Sequence, residues 1–171
     1  MLSILIFLSL SFSHVFSEEY YGMLYLSKED FPPQKGLVFL TLEVNGLKGV
    51  QQPLHYEDSL DNPYHLDSNK IEEFILRTME GPLESIDKIH FQWKFPMRSL
   101  KDEKHFIKIQ KLAISSMTAK IEANSEEFNS VKTFCLENKN QEVYEGVSVP
   151  LLPCHPVTLE IVKPTGEQIS L

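Results

Sequence analysis

Hydrophobic and polar residues alternate most regularly in the stretch IDKIHFQWKF, from Ile86 to Phe95. Ile89, Phe91, Trp93 and Phe95 share one parity and Lys88, His90, Gln92 and Lys94 the other, the period of two expected of a strand with one buried face. Such a row of large apolar side chains needs a second layer to bury against. The same period recurs on either side. Tyr20 to Leu26 reads as a first strand, weakened by Gly22, and a loop follows over 27–33, where paired prolines and clustered charges end regular pairing. In 37–44, Val38, Leu40, Leu42 and Val44 form one face, while the other turns from apolar to polar along its length. Asn45-Gly46 forms a turn through two residues that tolerate positive φ, ahead of a short strand over 50–56 broken by Pro53.

Residues 57–69 have no periodicity and predict a long surface loop. Ile71 to Met79 alternates again, with Phe74 and Leu76 inward, and Glu80-Gly81-Pro82 turns the chain into 86–95. A polar loop over 96–104 leads to a strand whose apolar content is Ile107, Ile109, Leu112 and Ile114. The parity changes between Ile109 and Leu112, which predicts a bulge near Gln110 and Lys111. Residues 115–130 are polar, with a short helix over 119–128 as an alternative to loop. Further strands are expected over 131–136, 147–154 and 157–162. Short strands at even spacing, separated by turn signals and without a long helical period, predict an all-β fold, an antiparallel β-sandwich of about eight strands.

Composition adds the compartment. Residues 1–17 are an apolar run without Asp, Glu, Lys or Arg that ends Val15-Phe16-Ser17. The run is too short for a membrane span and ends in the small-residue spacing that signal peptidase cuts. It predicts a signal peptide over 1–17 and a secreted chain with no transmembrane segment. Ser11, Ser13 and His14 weigh against a retained anchor. One domain is expected over 18–154, with a C-terminal extension over 155–171. In a secreted chain the two cysteines, Cys135 and Cys154, read as one disulfide, worth about 3 kcal/mol in the chain-entropy picture. The formal net charge of −8 argues against a nucleic-acid partner drawn by the global field.

Candidate chemistry is sparse. No Gly-x-Ser-x-Gly elbow occurs, no serine or cysteine nucleophile can be named beside His90, and the carboxylate pairs Glu72-Glu73 and Glu126-Glu127 are adjacent in sequence and read as solvated. His55 and His65 lack the spacing of a zinc pair, and the acidic residues of 57–69 lack that of a calcium loop. The expectation is a protein that is not an enzyme and holds no cofactor or metal. Basic residues gather in one strip, Lys94, Arg98, Lys101, Lys104, Lys108 and Lys111, around Phe95, Met97 and Leu100. That combination suits an anionic membrane or a protein partner; a charged loop that keeps a strand edge soluble is the other reading.

Several stretches together resemble a known family: LVFLTLEVNGLKG over 37–49, KIEEFILRTMEGPLESIDKIHFQWKF over 70–95, IKIQKLAI over 107–114, and VKTFCLEN with VPLLPC over 131–138 and 149–154. Their order and spacing are similar to the C-terminal PLAT, or C2-like, β-sandwich of pancreatic and lipoprotein lipases. Phe74, Ile75, Thr78, Gly81, Leu83, Ile89, Phe91, Trp93, Ile109, Gln110, Lys111, Phe134, Cys135 and Cys154 stand where that pattern wants them. The resemblance implies a scaffold whose rim loops bind, with Phe95, Met97, Arg98, Leu100, Lys101 and Lys104 as the lipid- or partner-binding residues. Two departures shape the expectation. The signal segment runs directly into the sandwich without a hydrolase domain, and 96–104 lacks the tryptophans that engage lipid in the lipoprotein-lipase branch. A monomeric binding module for a protein partner, a lipase among the candidates, is therefore favoured over one for a lipid surface. A truncated or accessory lipase chain and a small-lipid carrier are the alternatives.

Overall fold

The computed structural model describes residues 18–54, 64–78, 82–95, 105–116 and 131–162. Its strands are β1 (Glu18–Leu26), β2 (Gln34–Val44), β3 (Leu47–Lys48), β4 (Gln52–Pro53), β5 (Tyr64–Leu66), β6 (Ile71–Thr78), β7 (Ile86–Lys94), β8 (Phe106–Ser116), β9 (Val131–Cys135), β10 (Glu142–Tyr144) and β11 (Val149–Pro153), with a 3-10 turn at Leu83–Ser85 before β7. All their pairings are antiparallel. The main path runs β3-β2-β7-β11-β9-β8-β1-β6, and it folds into the expected sandwich because β11 serves both layers. Val149, Pro150 and Leu151 pair with β7, whereas Leu152 and Pro153 pair with β9.

The alternation read from the sequence sets which faces meet. Ile86, Ile89, Phe91 and Trp93 of β7 are buried together with Val38, Leu40 and Leu42 of β2, Tyr20, Leu24 and Leu26 of β1, and Phe134 of β9. Trp93, near the end of β7, is fully buried, and its indole N–H donates to the Val143 carbonyl at 2.9 Å, so the ring hides no unpaired donor. Gly22 has a structural reason: the Phe74 ring from β6 occupies the space where a Cβ would stand. The bulge falls where the parity changes. Tyr25 pairs with Lys111 and Leu26 with Ile109, which passes over Gln110. A second irregularity, where Glu43 pairs with Lys88 but Val44 with Ile86, leaves Val44 only half-buried rather than in the row with Leu42.

Four local expectations are corrected. Of the strand over 50–56, the described residues 50–54 hold only β4, whose Pro53 has no N–H to give to a ladder, with one further bond from the Leu54 N–H to the Val38 carbonyl; 55–56 lie outside the described residues. The loop over 57–69 contains β5, which pairs with Gln34 to Gly36 and buries Leu66; one apolar anchor is too little to register as periodicity. β10 was not foreseen. The strand over 157–162 is instead a turn. His155 Nδ1 accepts the N–H groups of Val157 and Thr158, Leu159 adopts φ 57° and donates to the His155 carbonyl, and a single bridge joins Cys154 to Ile161. The turn is bound to the sandwich through Lys111 on the Pro156 carbonyl and Lys139 on that of Thr158. Cys135 and Cys154 form the disulfide, with Cα atoms 5.8 Å apart. The helix alternative over 119–128 and the signal segment lie outside the described residues, among which no helix is long and apolar enough to cross a membrane.

Candidate functional site: the rim around Phe95

β7 carries its apolar parity one residue past its end, so Phe95 leaves the sheet half-buried. Its ring stands edge-on to Trp93 at 5.4 Å and to His105 at 4.7 Å. This aromatic run links the end of β7 to the start of β8 across the segment 96–104. A third segment closes the rim. Glu145 donates its N–H to the His105 carbonyl at 3.0 Å and Gly146 donates to the Trp93 carbonyl at 2.9 Å, with Gly146 at φ 76°, a conformation in which a Cβ would be strained. The Gln92 amide donates to the Gly146 carbonyl and accepts from Gln51. Tyr144 and Val147 are thus fixed by backbone bonds yet remain 36% and 48% exposed. The Tyr144 ring lies 6.0 Å from that of Phe106, and its hydroxyl donates to the Glu142 carboxylate, which holds the phenol above its ordinary value. His105 Nε2 is buried with no hydrogen-bond partner among the described residues.

Of the site residues expected from sequence, Phe95 belongs to this rim as a partly buried anchor, while Met97, Arg98, Leu100, Lys101 and Lys104 lie outside the described residues. The basic strip is divided. Lys108 pairs with Glu29 at 2.6 Å, Lys111 lies over the Tyr25 ring at 4.7 Å, and Lys94 lies over Phe39 at 5.3 Å. Tyr144 was missed because it comes from a segment with no strand pattern of its own, and Val147 because it was read only as the first residue of the strand over 147–154, which begins at Val149; the Gly146 turn was the available signal.

On the polar face of β7, Glu43 receives Lys88 Nζ at 2.9 Å and lies 2.7 Å from His90 Nε2. The His90 and Lys88 hydrogen bonds, His90 foremost, hold the Glu43 carboxyl below its ordinary 4.5, against the opposing effect of burial. Thr41, opposite His90 in the register, and Pro150, on its other side, complete a patch that ties two strands together. Among the described residues no three metal-ligating side chains converge.

No family model and no curated protein matches the sequence. Solved structures do match the fold. A LOX variant aligns at TM-score 0.53 and 10% identity, covering 81% of this chain and 16% of its own. A LOX in complex with arachidonate aligns at TM-score 0.50 and 12% identity, covering 79% of this chain and 16% of that one. The chain has the fold of a LOX β-domain. A coral 8R-lipoxygenase, described as calcium-activated through a C2-like domain, aligns at 0.48 and 11% identity over 80% of this chain and 17% of that one. The chain therefore spans about a sixth of the LOX chains it matches, and the likeness concerns architecture.

Proposed function

We propose that this chain is a secreted, non-catalytic PLAT-type β-sandwich, akin to the lipase C-terminal domain, that binds through the rim around Phe95. The observation that carries the reading is the rim itself: Tyr144 and Val147 stand exposed on either side of Glu145 and Gly146, whose N–H groups bond to the His105 and Trp93 carbonyls, next to the segment whose sequence supplies Met97, Arg98, Leu100, Lys101 and Lys104. A rigid scaffold with an apolar and basic rim suits a contact surface. A protein partner is favoured over a lipid surface, since 96–104 has no tryptophan and Phe95 is committed to the core edge. A secreted lipase is the leading candidate.

The test compares the wild-type chain with Met97→Ala/Leu100→Ala and Tyr144→Ala/Val147→Ser variants. Each is mixed with immobilised secreted lipase, and separately sedimented with neutral and anionic liposomes with and without calcium. The expected result is lipase retention by the wild type and a roughly tenfold loss in both variants. Liposome binding lost in both variants would reassign the same rim to a lipid surface. Binding unaffected by either variant, or no binding in any arm, would defeat the proposal.

A further inference from the structure

The two ends of the strand path are finished differently. Along its outer edge β2 is covered piece by piece: β5 pairs with Gln34 to Gly36, β4 with Phe39 and Leu40, and β3 with Glu43 and Val44. Pro53 lies within that cover. Short pieces and a proline are how sheets protect an edge from pairing with another chain. At the other end, β6 pairs with β1 in unbroken register from Tyr25↔Ile71 to Glu18↔Thr78, and among the described residues nothing pairs with its far side. Ile71–Thr78 contains no proline, no glycine and no bulge. Its inner parity includes the buried Phe74 and Leu76, its outer parity the exposed Ile71 and Glu73 and the half-buried Ile75.

We infer that β6 is a self-association edge, on which a second copy of this chain adds its own β6 antiparallel across a two-fold axis at Ile75. An axis perpendicular to the sheet keeps inner faces on the same side, so paired positions must share parity. Pairing about Ile75 meets this condition. It sets Ile75 against Ile75 once, and Phe74 against Leu76, Glu73 against Arg77 and Glu72 against Thr78 twice each because of the symmetry. Opposite charges directly across an antiparallel pair favour that register, and like charges there oppose it. The strand is thus complementary to its own reverse in charge and in apolar content. Pairing would join the two β9-β8-β1-β6 layers into one continuous sheet, in contrast to the monomeric binding module expected from the sequence.

The experiment is sedimentation equilibrium of the secreted chain over a range of concentration, with circular dichroism to establish that each variant is folded. The wild type should approach twice the monomer mass as concentration rises. Arg77→Glu places a glutamate against Glu73 in both symmetry-related pairs and should weaken dimerisation at least tenfold. Glu73→Arg alone should do the same, and Glu73→Arg/Arg77→Glu together should restore the wild-type dissociation constant. Ile75→Pro should leave a folded monomer, since an edge strand tolerates proline but loses an N–H. A wild type that stays monomeric at every concentration overturns the inference, as does a dimer indifferent to the charge exchange.

Discussion

Trp93 shows how one side chain binds the two layers. Its ring is fully buried in the core, and its N–H satisfies the carbonyl of Val143 in β10. Trp93→Ala should cost about 3–5 kcal/mol through the cavity and lost burial. Trp93→Phe should cost about 1–3 kcal/mol, largely through the buried carbonyl left unpaired at Val143. Chemical denaturation followed by circular dichroism measures both, and equal losses would show that the ring's volume matters less than its hydrogen bond. Glu43 makes a different kind of contribution. Its folded-state carboxyl is held below the ordinary 4.5 by His90 and Lys88, so the stabilisation it provides is present above the unfolded value and is lost as pH falls through the folded one. Glu43→Gln should therefore lower stability at neutral pH, and the gap to the wild type should close on acidification below the ordinary 4.5 of a glutamate. A gap that stays constant with pH would show that the Glu43 charge does not stabilise the fold. Glu43 was legible only as a polar residue near a strand end; its nearly buried state depends on β2 and β7 being neighbours.

Among the elements, the disulfide joins the end of β9 to the turn after β11, the strand that belongs to both layers. Replacing both cysteines with serine should cost about 3 kcal/mol, read from denaturant midpoints, and the intact wild type should gain the mass of two hydrogen atoms only on reduction. Unchanged stability would mean that the neighbouring pairings alone hold β11 in place. Strands with strong alternation, 71–78 and 86–94 above all, were legible in the sequence because one face of each packs on the core and nothing else satisfies that pattern. The Gln110 bulge was legible for the same reason, as a break in parity. β10 and β5 were not: each is a three-residue strand, too short to display a period, and forms only because a longer strand offers it an edge. The turn over 155–161 misled the reading, since its apolar residues alternate as a strand would, yet the His155 imidazole captures two of the N–H groups that a strand would have used in pairing.

Across the whole molecule, local sequence determined the class of fold, the identity of the inward residues and the cysteine pair, because alternation, turn chemistry and cysteine count are properties of the chain itself. Which strands became neighbours was decided only in three dimensions. The sequence could not state that β11 would pass from one layer to the other, that β2 would have its edge covered while, among the described residues, β6 would not, or that Glu145 and Gly146, between Tyr144 and Val147, would bond to His105 and Trp93. Each of these facts depends on contacts between residues tens of positions apart, as Trp93 with Val143 and Glu43 with His90. The period of two says which face of a strand is buried, but it is the same for every strand and so carries no address for its partner.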